Sequence, residues 1–464
     1  MTAAQPPLSL RMAEYAQSLR LADVPSEVAA LARLHVADAL GVGLGAASVP
    51  VHRRMLQGLI AGQPAASGAT VLGFSTAVPA ATAALFNGMS IHSLEYDDTH
   101  MGSIVHGSAV VVAAVLAAAE EAGRDMDEVV RLVVAGWELL VRLGEAAPGD
   151  FQRRGFQVTS VGGVVVAALL AALARGASAE TAVQAMGIAG SQGGGIFEFL
   201  SNGSRVKAMH PGWAAHGGLW AASLAQAGLT GPLTVLEGRH GVFRAYADAP
   251  EAGARLAQSL DTLGSRWALA EAAFKFHPCC HYIHPYLECA QQLHAQAQGQ
   301  EIVAAHCKVA AGAALVIAEP WATKQAPRDS NDAKYSLPYC VALALLGRPV
   351  DLAAMTGSGL DADAVALAAR IDAEPWRDSG FPQRFAADLS VRLADGRRLQ
   401  AGVPQVRGSA ERPADADQVR AKFMANAAGV LPPDACERAW VLVTEGSASL
   451  VELAGCLRAG QLKD

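Results

Sequence analysis

Hydrophobic residues recur at helical spacing through most of the first 264 positions, with glycine as the usual punctuation. Ser26 precedes the run E-V-A-A-L-A-R-L-H-V-A-D-A-L, whose apolar positions share a helical face, and Gly41 is the expected stop. The same spacing predicts helices over 108–122, 126–143, 161–173, 179–189 and 214–227. Several of these are apolar nearly all round, which puts them inside a multilayer bundle. The pattern changes after Trp267. Segments 303–309 and 389–393 alternate like strands, and the second runs through the hairpin signal Asp395-Gly396 into 397–403. A helical run at 339–346 lies between Pro338 and the turn-forming stretch 347–351, and the tail returns to helix over 415–428 and 446–458. The expected architecture is mainly α: a helical domain over 1–270, a smaller α+β domain inserted over 271–405, and 406–464 completing the helical domain.

Composition sharpens this picture. The 464-residue chain is 52% apolar and only 17% charged, long enough for two cores. Its 36 basic and 43 acidic residues leave a net charge of −7, which argues against nucleic acid or an anionic membrane as partner. A small anionic substrate needs only a local basic pocket and stays open. Seven cysteines without framework spacing point to reduced thiols and a cytoplasmic setting. The N-terminus lacks a basic stretch followed by an apolar one, so no secretory signal is expected. The oily runs 108–119 and 161–174 fall short of the ~18 residues a membrane span needs. They close on Glu120-Glu121 and Arg175 and predict buried helices.

Against this background the segment S-I-H-S-L-E-Y-D-D-T-H-M-G-S-I-V-H-G-S, residues 90–108, stands out. It carries His92, His100, His106, Glu95, Asp97, Asp98, Thr99 and Ser103. Imidazoles beside carboxylates move protons near neutral pH. His106 falls just ahead of a predicted helix, where the positive helix end attracts anions and favours a neutral imidazole, so it is the first candidate for a general base. The bland alternative is that Asp97 or Thr99 caps that helix. His92 and His100 are read as structural. Arg205-Val206-Lys207, followed by His210, precedes another helix and suits carboxylate recognition. Lys275-Phe276-His277-Pro278-Cys279-Cys280-His281-Tyr282-Ile283-His284 invites a zinc reading, but adjacent cysteines seldom reach one tetrahedral ion together, so no metal is expected. In S-N-D-A-K-Y-S-L-P-Y-C-V-A, Tyr339 opens an apolar helix and offers a phenol. The glycines at 193–195 and 238–241 form no phosphate-binding motif.

Six segments together resemble the MmgE/PrpD family: H-S-L-E-Y-D-D-T-H, V-H-G-S-A-V, K-A-M-H-P-G-W-A-A, G-R-H-G-V-F-R-A-Y, K-F-H-P-C-C-H-Y-I-H-P and D-A-K-Y-S-L-P-Y-C-V-A. The family includes 2-methylcitrate dehydratases, cis-aconitate decarboxylases and an iminodisuccinate epimerase. The resemblance implies a cofactor-free homodimeric enzyme with a helical domain and an α+β lid. It also implies active-site positions at Thr99, His106, Lys207, Lys275 and Tyr339. Two departures stand out. Glu95 replaces the family's usual Asp, and Gln157 replaces the histidine of an R-G-F-H-x-T motif. Gln157 hydrogen-bonds but does not exchange protons near neutrality. His281 stands where an arginine is common.

The expected function is a lyase acting on a small di- or tricarboxylate, like 2-methylcitrate dehydratase. His106 moves the proton, Glu95 or Asp97 orients it, and Lys207 and Lys275 hold carboxylates. Tyr339 donates a proton, while Thr99, Gln157 and His281 line the substrate. An epimerase of an amino- or imino-dicarboxylate and a cis-aconitate-type decarboxylase are the near alternatives. A metal-dependent hydrolase and a non-catalytic binding protein are remote ones.

Overall fold

The structure, a computed structural model, describes residues 6–63 and 68–458. The first five residues of the stretch searched for a signal sequence lie outside these. The chain forms two compact units. The larger comprises Met1–Ser93, Asp97–Ala272 and Asp415–Asp464, and the smaller comprises Leu94–Tyr96 and Ala273–Ala414. The architecture is mainly α, as the apolar spacing predicts.

In the larger unit, helices Ala80–His92, Gly107–Glu121, Val158–Ala174 and Ala179–Gly190 all pack against Met209–Gln226. Residues 158–174 are buried along their whole length, as expected of a helix apolar all round. Small residues set the spacing. A Cβ added to Gly212 would lie 2.3 Å from the Leu85 carbonyl oxygen, and one on Gly88 would lie 2.6 Å from Gly212 Cα. Backbone therefore meets backbone where Ala80–His92 crosses Met209–Gln226. That crossing lies four residues before His92 and two after His210, so it brings these side chains to the same region.

Gly41 does not end its helix, which runs unbroken from Ser26 to Ser48. Three interior glycines, each costing up to about 1 kcal/mol in a helix, permit close packing instead. A Cβ on Gly41 would lie 3.0 Å from Phe423, one on Gly43 2.4 Å from Leu72, and one on Gly45 3.3 Å from Asn426. This helix is long and apolar enough to cross a membrane, yet it is mostly buried in the larger unit. Its polar groups are met by other segments: His35 by Asp98 and Asp38 by Lys422. That is how a core helix is satisfied.

The smaller unit contains a four-stranded sheet in the order 371–375, 302–309, 387–393, 398–403. The first pair is parallel and the others antiparallel. Gly396, at φ +89°, makes the expected hairpin turn. Ala387–Leu393 buries alternate residues, and helix His284–Ala297 packs on this strand and on Arg398–Val403. Several elements escaped the sequence reading, including helices Leu8–Ser18, Pro50–Ile60, Ala80–His92 and His284–Ala297, and two others show why. Strand Ile371–Pro375 buries only its first residue and so shows no alternation. Helix Pro433–Thr444 begins at Pro432-Pro433, which look like a breaker but here supply the N-terminal entry that proline favours.

Candidate active site

Four helix ends meet in the larger unit. His92 is the last residue of helix Ala80–His92. His106 is the N-cap of Gly107–Glu121, Gln157 is the N-cap of Val158–Ala174, and His210 lies in the first turn of Met209–Gln226. The contacts are direct. His92 and His106 rings sit edge to face with centroids 4.8 Å apart. Gln157 Nε2 is 3.2 Å from His92 Nε2, and Gln157 Oε1 is 2.7 Å from His210 Nδ1. The His106 backbone N–H donates to the Thr159 hydroxyl at 3.0 Å, tying two helix starts together. Three helix N-termini, each carrying partial positive charge and spare N–H groups, thus open onto one polar cluster.

The loop between Asp98 and His106 explains how the sequence delivers this arrangement. His100 and Val105 exchange backbone hydrogen bonds, folding 98 back beside 108. Asp98 then accepts the Ser108 backbone N–H at 3.2 Å and the Ser108 hydroxyl at 2.5 Å, and it contacts His35 Nδ1 at 2.7 Å. The capping carboxylate is therefore Asp98, while Asp97 and Thr99 turn towards histidines. Asp97 Oδ2 lies 2.7 Å from His92 Nδ1 and 3.6 Å from His106 Nδ1. His106 Nδ1 lies 3.1 Å from the Asp98 carbonyl oxygen and 3.2 Å from the Thr99 hydroxyl. A carbonyl only accepts, so His106 carries a proton on Nδ1, which leaves Nε2 as the nitrogen that can exchange one. Its side chain is 12% exposed. A neutral imidazole with a proton-accepting Nε2 is the form a general base requires.

His210 is held neutral by burial, by His92 and by Lys207, which together depress its pKa from 6.5 to about 4. Lys207, half-buried in the turn before the helix, is the ammonium near this group. His100 serves the loop instead: its Nδ1 accepts the Ser103 N–H at 3.1 Å, and its Nε2 faces Glu271 at 3.4 Å. Hydrogen bonds from His100 and Arg266 hold the Glu271 carboxyl down at about 2.

Among the described residues, two groups of side chains have metal-ligand chemistry: His92, Asp97 and His106, and His100, Glu145 and Glu271. In the first, hydrogen bonding places protons on both Nδ1 atoms, which a metal would have to displace. In the second, Arg266 already bridges the two glutamates at 2.6 and 2.8 Å.

The smaller unit holds the other residues singled out from the sequence. Lys275 is buried, with Nζ 4.0 Å from the Glu95 carboxylate and 3.3 Å from its backbone carbonyl oxygen. Tyr335 donates to Glu95 Oε1 at 2.6 Å. Glu95 adopts φ +55°, a left-handed conformation that Asp tolerates better than Glu. The position the family usually fills with Asp is thus one of conformational demand. Tyr339 is buried, and its hydroxyl accepts the Asp361 backbone N–H at 3.0 Å. His281 is buried edge-on against His284 and Phe385, at 4.9 and 5.3 Å between ring centroids. The structure therefore brings Asp97, Thr99, His106 and Gln157 together in the larger unit, near Lys207, and pairs Glu95 with Lys275 in the smaller. Sequence reasoning named His92 and His210 but read the first as structural and gave the second no place among the site residues. The signal for His92 was its place in the 90–108 cluster, and for His210 its proximity to Lys207.

Acid should loosen this fold. Burial lowers the pKa values of His277 and His284 as it does that of His210. A histidine with a depressed folded pKa stabilises fully above its unfolded value near 6.5, and that stability is lost as pH falls towards the folded value. Between pH 7.5 and 5, His210 alone should remove about 1–2 kcal/mol. Urea midpoints at the two pH values test this, and identical midpoints would contradict it.

Residues 10–254 match the family model described as the MmgE/PrpD N-terminal domain, and residues 277–445 match the MmgE/PrpD C-terminal domain. A cis-aconitate decarboxylase-like protein, oryM, of Aspergillus oryzae is 25% identical over 482 residues, covering 98% of each chain. A cis-aconitate decarboxylase of Aspergillus terreus is 27% identical over 295 residues, 62% of this chain and 60% of that protein. The Homo sapiens cis-aconitate decarboxylase is 26% identical over 374 residues, 78% and 75% of the two chains.

Proposed function

Because this chain belongs to the MmgE/PrpD family, we propose that it is a cofactor-independent lyase of small di- or tricarboxylates, working by proton transfer next to a carboxylate. The observation that carries this reading is the meeting of three helix N-termini around a cluster of imidazoles, of which His210 is held neutral, with Lys207 nearby. Positive helix ends and an ammonium attract carboxylates. The Nε2 lone pair of His106 accepts a proton from a carbon whose acidity the bound carboxylate raises.

Decarboxylation is the favoured outcome, because the named relatives are cis-aconitate decarboxylases or like them. In that reaction the bond to one carboxylate breaks and carbon dioxide leaves. The electron pair passes into the neighbouring unsaturated carboxylate, and His106, having taken a proton from water at Nε2, donates it to carbon and is left neutral. Dehydration uses the same residue in the opposite sense: His106 removes the C–H proton, and the hydroxyl leaves as water after receiving a proton. One observation favours a second reading. Gln157, central in the cluster, cannot titrate, which suits an epimerase that removes and returns a proton without expelling a group.

The test is incubation of the purified protein in deuterium oxide with cis-aconitate, 2-methylcitrate and an amino-dicarboxylate. Carbon dioxide release is expected. A new alkene without carbon dioxide would assign dehydration, and α-deuteration with inversion alone would assign epimerisation. No exchange on any of them would overturn the proton-transfer reading.

A homodimer is part of the same proposal. Met209, Trp213, Trp220 and Leu224 recur at helical spacing along Met209–Gln226, and two half-exposed tryptophans on one face suit burial against a second copy. Light scattering should give twice the chain mass for the wild type and a monomer for Trp220→Glu. A monomeric wild type would reject the assignment.

A further inference from the structure

An amide has one accepting and one donating end, and Gln157 places them between two imidazoles. The arrangement forms a continuous line: His210 Nδ1 to Gln157 Oε1 at 2.7 Å, Gln157 Nε2 to His92 Nε2 at 3.2 Å, and His92 Nδ1 to Asp97 Oδ2 at 2.7 Å. Gln157, His92, His210 and Asp97 are all buried. We propose that Gln157 is a positioning residue that relays the protonation of His92, set by Asp97, to His210 and so dictates which ring nitrogen of His210 carries the proton.

The polarity follows from the Asp97 end. A carboxylate only accepts, so His92 Nδ1 is protonated. When His92 is neutral, its Nε2 holds a lone pair and must face the amide N–H. The amide oxygen then faces His210 Nδ1, which must donate, leaving the His210 lone pair on Nε2. The reverse amide orientation needs a proton on His92 Nε2, which makes that ring an imidazolium beside Asp97. It also presents the amide N–H to His210 Nδ1, so the His210 proton must move to Nε2. Charging His92 therefore turns His210 Nε2 from acceptor to donor. The balance is one proton gained at His92 and one moved between nitrogens at His210.

The surroundings favour a neutral His210. His210 is faced by Lys207, His92, Gln157 and the edge of Phe199, with Lys207 and His92 both opposing charge on it. His92 is faced by Asp97, His106, Gln157 and His210, and Asp97 is the one anion in that set. A leucine at 157 would keep the volume and break the line. A glutamate would accept from both rings and favour their charged forms.

The kinetic consequence rests on the acid–base reading above, but the tautomers are observable without turnover. In the full-length protein with ¹⁵N-labelled histidine at pH 7, His210 is expected in its Nδ1–H form. In Gln157→Leu that preference should vanish. In Gln157→Glu, His210 should titrate at least about one pH unit higher than in the wild type. The acid limb of the pH–rate profile should move up with it. His210 in the Nε2–H form in the wild type, or unchanged tautomers in folded Gln157→Leu, would overturn the proposal. If Gln157→Leu does not fold, the wild-type tautomer and the Gln157→Glu titration decide it. Normal tautomers with no exchange on any carboxylate would leave this inference standing and remove the proposed function alone.

Discussion

Replacing His106 with alanine is expected to lower kcat/KM on the accepted carboxylate by about 10²–10⁴-fold, the usual contribution of one general acid–base group. The loss should fall on kcat, because the proton moves in the transition state while helix ends and Lys207 bind the substrate in both states. Folding should survive. The His106 backbone N–H bond to Thr159 does not involve the side chain, and the imidazole is partly exposed at a helix cap. Deuterium exchange at the substrate carbon should fall in parallel. A folded variant with near-normal turnover would remove His106 from the mechanism.

Asp98→Ala is expected to be the most destabilising single change in the segment, at about 3–5 kcal/mol, because it strips several buried groups of one shared partner. Its carboxylate serves His35, the Ser108 backbone N–H and the Ser108 hydroxyl at once, and all three groups are buried. Trp137 Nε1 leans on the same Ser108 hydroxyl at 3.3 Å. Removing Asp98 unfastens the start of helix Gly107–Glu121, which carries His106. Asp98→Asn keeps one accepting oxygen and should recover part of the loss. Asp97→Asn should behave differently, with a modest change in the urea midpoint and a large one in activity, because Asp97 faces the histidines. Equal stability losses for Asp97→Asn and Asp98→Ala would erase this distinction.

The contrast between neighbouring aspartates shows where sequence reading reaches its limit. Composition and spacing single out residues 90–108, and that segment supplies His92, Asp97, Thr99 and His106 to the cluster. Spacing does not say which carboxylate caps the helix, because the cap acts through a loop closed by the His100–Val105 bridge. The long helix Ser26–Ser48 teaches the same lesson. Gly41 is a stop by local propensity, yet packing against Phe423, almost four hundred residues away in sequence, offsets the cost. Glu95 is the reverse case. Its departure from the family's Asp was legible in the sequence, but its left-handed backbone was not.

By itself, then, the sequence determined a mainly helical chain, its family, and the stretch where proton-transfer groups concentrate. These follow from local periodicity and from side-chain types, which neighbours in sequence are enough to set. Only the tertiary structure decided which nitrogens hold protons. His92 meets Gln157 across 65 positions, and Gln157 meets His210 across 53. A hydrogen bond's direction is fixed by both partners together, and these partners become neighbours only when glycine-lined helices bring their ends together.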